Sequence, residues 1–142
     1  MPSSYQSTIV NAPASSVWGA LRNFHDMSWA TGVVEKCEMV GERAGDQVGA
    51  KRIVNDVFHE TLLAIDDYRM VLNYSIDEGP KPVSSNEVSE YVGTVNVVPA
   101  SEDGACVVEW YSRWEAANDD GVEFCGNIYK ALLGKLREHF AS

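Results

Sequence analysis

The segment VNAPASSVWGALRNFHDMSW, residues 10–29, decides the fold of this chain. Residues 5–11, which lead into it, are rich in β-branched side chains and predict a strand. Pro13 suits the first position of a helix because its ring fixes φ and it needs no amide donor there. An apolar stripe at helical spacing follows, formed by Val17, Leu21 and Phe24. Residues 23–32 then predict a second short helix or a turn that ends at Gly32.

Strand patterns dominate the middle of the chain. Six further strands are predicted at residues 33–41, 48–55, 57–66, 70–77, 88–98 and 106–116. Most of the connections between them are short, and short connections favour antiparallel neighbours. The sequence therefore predicts a seven-stranded antiparallel meander that is interrupted only after its first strand.

A long helix ends the chain. Residues 118–121, Asn-Asp-Asp-Gly, supply a cap and negative charge at its start. Its apolar face is formed by Val122, Cys125, Ile128, Tyr129, Leu132, Leu136 and Phe140. Gly126 and Gly134 lie inside the helix, where each costs about 1 kcal/mol relative to alanine. Each glycine either marks a close approach to another element or is simply tolerated.

Composition restricts the class of protein. The 142 residues suit one domain, residues 1–142, with 45% hydrophobic residues and a formal net charge of −10. That negative charge disfavours binding to nucleic acid. No apolar run is long enough for membrane insertion, and the N-terminus lacks the pattern of a signal peptide. With three widely spaced cysteines, we expect a cytoplasmic protein with free thiols, either a monomer or a homodimer.

The alternation of side chains along the strands predicts which residues face inward. On the last strand the two faces differ most clearly, and its inner face holds Cys106, Val108, Trp110, Ser112 and Trp114. On the strands at residues 48–55 and 57–66, Arg52 and Glu60 are taken as inward, and alternation then gives an inner face on each of the other strands. It holds Val48, Ala50, Arg52 and Val54; Phe58, Glu60, Leu62 and Ala64; Leu72, Tyr74 and Ile76; and Tyr91, Gly93, Val95 and Val97. Glu35 is placed on the inner face with Val33, Cys37 and Met39.

These inner faces predict an apolar cavity with few polar groups, which is typical of a small-molecule site. The candidate site residues are Arg52, Glu60, Tyr91, Glu35, Tyr74, Trp110, Phe58, Leu62, Val95 and Ile128. A buried arginine and glutamate rarely remain unpaired, because desolvation costs several kcal/mol per ion. Arg52 and Glu60 therefore form either a purely structural ion pair or a pair that faces a ligand. The three histidines are far apart and no cofactor fingerprint is present, so we expect neither a metal nor a cofactor.

The order of elements resembles the START/Bet v 1-like (SRPBCC) superfamily. In its helix-grip fold, of α+β class, a curved seven-stranded antiparallel sheet wraps a long C-terminal helix, and two short helices after the first strand close one end. The phrase APASSVWGALRNFHDMSW, residues 12–29, resembles the entry motif of the polyketide cyclase/dehydratase branch. The resemblance covers essentially the whole chain and implies a domain that binds a hydrophobic ligand.

Three shorter stretches resemble plant lachrymatory-factor synthases and abscisic-acid receptors: VGAKRIVN, HETLLAIDD and SEYVGTVNVV. By this resemblance Glu60 would transfer protons, Arg52 would polarise an oxygen of the ligand, and Tyr91 would donate a hydrogen bond. Tyr74 and Trp110 also fall at matching positions. The receptors hold a carboxylate with a lysine where this chain has Glu35, and their gate loop is absent, so a hormone receptor is disfavoured.

The expected function is the binding of a small hydrophobic molecule, with isomerisation, cyclisation or dehydration by acid–base chemistry at Glu60, Arg52 and Tyr91. A carboxylate in an apolar pocket can be tuned toward such chemistry. The rival hypothesis is a non-catalytic carrier of a lipid, polyketide or isoprenoid. A third is a module that binds a partner protein.

Overall fold

The computed structural model describes residues 1–102 and 104–141. Seven strands are present: β1 (Ser3–Val10), β2 (Cys37–Val40), β3 (Lys51–Val54), β4 (Phe58–Asp66), β5 (Val71–Glu78), β6 (Val88–Pro99) and β7 (Cys106–Ala116). The helices are α1 (Ala14–Leu21), a short 3-10 helix (Ser28–Ala30) and α2 (Asp120–His139). Asp103, between the strands predicted at residues 88–98 and 106–116, and Ser142, at the end of the predicted domain, lie outside the described residues.

All seven strands form one antiparallel sheet in the order β1-β7-β6-β5-β4-β3-β2. Consecutive strands are neighbours from β2 to β7, and β1 joins the far edge beside β7. The curved sheet, the two short helices after β1 and the C-terminal helix confirm the predicted α+β helix-grip fold. The opening segment breaks after β1 because the chain must pass from one edge of the sheet to the other, and the two short helices make that passage.

Helix α2 packs its apolar face against the inner side of the sheet. Cys125, Tyr129 and Leu136 are all buried on this face, as the helical period predicts. Gly126 marks a close approach, because a Cβ atom there would lie 3.2 Å from Ser4 Oγ on β1. Gly134 is different, since no atom lies within 4 Å of the position that its Cβ would take.

The predicted inner faces of β6 and β7 are confirmed. On β7 every second residue is buried, from Cys106 to Trp114. On β6 the predicted face is buried in the same way, with Tyr91, Val95 and Val97 each less than 5% exposed. These faces form the central wall of the molecule.

Four inward assignments on the other strands are wrong, at Glu35, Met39, Val48 and Ala64. Strand β2 begins only at Cys37, and Met39 is 61% exposed. Val48 is 53% exposed, because β3 begins at Lys51 and the chain before it turns at Gly49, where φ is +93°. Ala64 is exposed because the pairing of β4 with β5 shifts between Leu62 and Ala64. A bulge of this kind reverses the alternation of side chains beyond it.

Candidate functional site

A cavity of about 140 Å³ lies between the inner face of the sheet and α2. An apolar cavity of about 150 Å³ is large enough to hold benzene. The wall is predominantly aliphatic and aromatic, and side chains from β3 to β7 and from α2 contribute to it. Its polar side chains are Arg52, Asn55, Glu60, Tyr74, Tyr91, Trp110, Cys125 and Tyr129. The cavity therefore has the composition of a small-molecule site.

Arg52 and Glu60 form a buried ion pair in the cavity wall. They lie directly opposite each other on β3 and β4, with Arg52 Nε 2.7 Å from Glu60 Oε1. Their side chains are only 8% and 9% exposed. Arg52 Nη1 also donates to the carbonyl of Phe24 at 3.0 Å, and the guanidinium carbon lies 3.8 Å from the centre of the Phe24 ring. The segment between α1 and the 3-10 helix thus fixes the arginine from behind.

The ionisation of Glu60 is shifted by its surroundings. Burial raises the pKa of the Glu60 carboxyl above its ordinary value, and attraction to Arg52 offsets part of that rise. A carboxyl group whose pKa moves toward neutrality can both accept and release a proton. Glu60 therefore has the electrostatic setting of a general acid or base.

One atom of each partner remains available. Within residues 1–102 and 104–141, no hydrogen-bond partner reaches Glu60 Oε2 or Arg52 Nη2. Both atoms are also accessible. In the same residues, the polar side-chain atoms that are fully enclosed and lack a partner are the indole nitrogens of Trp29 and Trp114. The ion pair can therefore offer one acceptor and one donor to a molecule in the cavity.

Aromatic side chains form the rest of the polar wall. Trp110 Nε1 donates to Tyr74 Oη at 2.8 Å, and the Tyr74 ring lies 5.6 Å from the guanidinium carbon of Arg52. Tyr91 and Tyr129 share a hydrogen bond between their hydroxyls, and Tyr129 donates to Ser112 Oγ at 2.7 Å. Burial raises the pKa of each of these tyrosines, so their hydroxyls stay protonated at neutral pH.

Asn55 connects the cavity to the segment that precedes β2. Its Oδ1 accepts hydrogen bonds from the amides of Glu35 at 2.8 Å and Lys36 at 3.1 Å, and its Nδ2 donates to the carbonyl of Val33 at 3.0 Å. Val33 and Val34 line the cavity beside it. One turn residue between β3 and β4 thus holds this part of the cavity wall in place.

Comparison with known proteins identifies the family. Residues 1–141 match the family described as polyketide cyclase / dehydrase and lipid transport. The chain belongs to this family. This membership confirms the predicted superfamily.

Solved structures show the same fold. A protein from Nitrosospira multiformis is 42% identical with a TM-score of 0.96, and the match covers 99% of this chain and 97% of that chain. The protein XoxI from Bacillus cereus is 21% identical with a TM-score of 0.81, over 99% and 96% of the two chains. Norcoclaurine synthase from Thalictrum flavum, solved with dopamine and hydroxybenzaldehyde, is 18% identical with a TM-score of 0.73, over 96% and 84%. The last two matches show the fold alone.

In this polyketide cyclase/dehydrase family member, the cavity brings together most of the residues chosen from the sequence. Seven of the ten candidates line it, namely Arg52, Glu60, Tyr91, Tyr74, Trp110, Phe58 and Ile128. Leu62 and Val95 point inward, and each is at most 2% exposed, but they pack in the core and do not line this cavity. Glu35 is exposed and lies in a separate surface depression, because the chain is not yet a strand at residue 35.

Three functional candidates were missed from the sequence. Tyr129 and Cys125 lie on the predicted apolar face of α2. The hydroxyl of Tyr129 on that face could have identified it as a polar residue of the cavity wall. Burial raises the pKa of the Cys125 thiol to about 11, so it remains protonated. Asn55 gave no signal beyond that of a turn residue.

The described part of the chain contains no group of three or more His, Cys, Asp or Glu side chains that could hold a metal ion. Across the same residues, no helix has both the length and the apolarity required to cross a membrane.

Proposed function

We propose that the protein binds one small, mostly apolar molecule in this cavity and catalyses proton transfer on it, as in an isomerisation, cyclisation or dehydration. The observation that carries the proposal is the Arg52–Glu60 pair, which is buried in the wall of an apolar cavity with one atom of each partner free. The family supports ligand binding in general, and the pair supplies the chemistry. Glu60 and Arg52 are the proposed catalytic residues.

The proposed step is proton abstraction next to a carbonyl group. Ionised Glu60 accepts a proton from the α-carbon through Oε2, and the C–H bond breaks. The electron pair moves onto the carbonyl oxygen, where Arg52 Nη2 donates a hydrogen bond to the developing negative charge. Return of the proton from Glu60 to carbon or oxygen completes an isomerisation, and its transfer to a leaving hydroxyl completes a dehydration.

Tyr91 is the proposed hydrogen-bond donor, the role that the family resemblance implies for it. It lines the cavity, but its hydroxyl also contacts Tyr129. Donation to a ligand would therefore replace that contact, and Tyr129 would keep its bond to Ser112. Tyr74, Trp110, Phe58 and Ile128 supply apolar surface around the ligand.

A non-catalytic carrier is the second candidate function. The family description includes lipid transport, which favours it. The volume of about 140 Å³ argues against a long acyl chain, because a cavity of that size holds about one benzene ring. A carrier in this cavity would therefore have to transport a compact ligand.

We propose further that the protein acts in the cytoplasm and without nucleic acid. Cys37, Cys106 and Cys125 are free thiols, which suits a reducing compartment. The net charge of −10 repels phosphate backbones.

Deuterium exchange into cyclohexanone tests the catalytic proposal. The protein is incubated with cyclohexanone in D₂O, and loss of the α-hydrogens is followed by proton NMR. We expect exchange faster than in buffer, and its loss in Glu60→Gln with affinity for the ketone nearly unchanged. His59→Gln is the matched control, because His59 is the preceding residue on β4 and its side chain is exposed.

If Glu60→Gln does not fold, Glu60→Asp replaces it, since this variant keeps the charge and withdraws the carboxylate. We then expect exchange to fall by at least about tenfold, because a small misplacement of a catalytic group has a large effect on rate. Ketone binding without exchange in the wild type would instead support the carrier.

A further inference from the structure

We propose that the cavity selects a neutral molecule about one ring in size, with a single oxygen directed at Arg52 and Glu60. The inference names the ligand class of the site described above and rests on the binding part of the proposed function. Three independent features of the wall support it: its volume, its charge and its free hydrogen-bonding atoms.

Volume restricts the size of the ligand. The cavity of about 140 Å³ is close to the ~150 Å³ that accommodates benzene. On the side of β5, β7 and α2 it is bounded by large side chains that are themselves held by hydrogen bonds. Trp110 is hydrogen-bonded to Tyr74, and Tyr129 is hydrogen-bonded to Ser112. Enlarging the cavity on this side would break these contacts, which favours a compact ring over a long chain.

Charge restricts the ionisation of the ligand. Among the described residues that line the cavity, Arg52 and Glu60 carry the charged side chains. Their opposite charges cancel. An anionic ligand would meet Arg52 already neutralised and would face Glu60. A cationic ligand would find Glu60 already neutralised by Arg52 and would be repelled by Arg52. Either ion would be desolvated without a free counter-charge, at a cost of several kcal/mol.

Most polar groups of the wall are already hydrogen-bonded, which favours a ligand with one oxygen over a more polar ligand. The Tyr129 hydroxyl donates to Ser112 and contacts Tyr91, and the Asn55 amide is engaged by the segment before β2. Glu60 Oε2 and Arg52 Nη2 are the cavity-wall atoms of the charged pair that keep unused capacity within the described chain. A carbonyl oxygen can accept from Arg52, and a hydroxyl can in addition donate to Glu60.

Two pairs of matched probes and one long probe test the inference. Cyclohexanone and methylenecyclohexane have the same shape and differ in the oxygen. Cyclohexyl methyl ketone and cyclohexanecarboxylate have the same number of non-hydrogen atoms and differ in charge. Decyl methyl ketone keeps the carbonyl and adds length.

Binding is read from the indole N–H resonance of Trp110 in titrations followed by ¹⁵N NMR. The indole of Trp18 is the internal control, because it donates to Asp67 outside the cavity. Ile128→Trp fills the cavity from α2 and should abolish the Trp110 response. Asn127→Trp, at the preceding exposed position, should preserve it.

We expect cyclohexanone to bind about tenfold more tightly than methylenecyclohexane, the effect of one good hydrogen bond. Cyclohexyl methyl ketone should bind more than about tenfold more tightly than the carboxylate. A carboxylate that binds as tightly as its ketone, or a decyl ketone that binds more tightly than the ring, would overturn the inference. Deuterium exchange by the wild type would still support the catalytic proposal in that case, so the two failures are distinguishable.

Discussion

Arg52 and Glu60 face each other across neighbouring strands, and a single hydrogen bond of 2.7 Å joins them inside an otherwise apolar wall. Two consequences follow from this arrangement. Each partner depends on the other for compensation of its charge, because both side chains are less than 10% exposed. Each partner also keeps one atom free for a ligand.

The mutual dependence predicts the energetics of substitution. Glu60→Leu or Arg52→Met alone should lower the free energy of unfolding by about 3–5 kcal/mol, because the remaining ion is buried without a partner. The double variant Arg52→Met/Glu60→Leu should lie near the wild type, since well-packed apolar residues often replace such a pair without loss. Urea unfolding of all four proteins measures the coupling. Additive losses in the double variant would contradict it.

The raised pKa of Glu60 predicts how stability depends on pH. Because the folded-state pKa lies above the unfolded one, the folded protein holds more protons in the interval between the two values. The contribution of this group to stability is therefore fully present below the unfolded pKa. It is lost as the pH rises through the folded pKa.

Unfolding measured across this interval should show a decline in the wild type that Glu60→Gln lacks. Glu42→Gln, at an exposed position, is the control and should keep the decline of the wild type. Parallel pH profiles for the wild type and Glu60→Gln would mean that the pKa of Glu60 is unchanged by folding.

The sequence predicted the site where strand alternation continues without interruption. On β7 the contrast between Trp110 and its outward neighbours is unambiguous, and Arg52 and Glu60, taken as inward, pair as the cost of burying an unpaired ion predicts. Alternation failed where the backbone is irregular. Glu35 precedes the start of β2, and Ala64 follows a bulge, so strand alternation could not assign either residue to a face of the sheet.

Long-range pairing was the other limit. The helical period places Tyr129 on the inner face of α2, but its hydrogen bond to Tyr91 depends on how far α2 lies along β6. The three bonds of Asn55 depend on the path of a segment that has no regular structure. Neither relationship has a local pattern from which it could be predicted.

Asn55 predicts a local effect on the segment before β2. Asn55→Ala removes three hydrogen bonds and should lower the free energy of unfolding by about 1–3 kcal/mol. Hydrogen exchange at the amides of Glu35 and Lys36 should accelerate, while exchange in β7 should follow global stability alone. Because Asn55 has a φ of 53°, Asn55→Gly separates backbone strain from the lost bonds. Unchanged exchange at both amides in Asn55→Gly would contradict the assigned role.

Two glycines predict opposite effects of the same substitution. Gly93 on β6 lies beneath the Tyr74 ring, and a Cβ atom there would lie 2.8 Å from Tyr74 Oη and overlap with the ring carbons. Tyr74 is buried and hydrogen-bonded to Trp110, so it cannot move aside without disrupting the cavity wall. Gly93→Ala should therefore destabilise the protein by about 1–3 kcal/mol, the usual cost of overpacking. It should also shift the Trp110 indole resonance.

Gly134→Ala is the matched control. Gly134 is exposed in α2, and no atom lies within 4 Å of the position that its Cβ would take. The added methyl group therefore causes no clash, and alanine stabilises the helix. Stability should rise by about 1 kcal/mol, the difference in helix propensity between glycine and alanine. Thermal unfolding of both variants, with the Trp110 resonance recorded for each, checks the pair. A Gly93→Ala variant as stable as the wild type, with its Trp110 resonance unmoved, would show that Tyr74 does not form a fixed wall of the cavity.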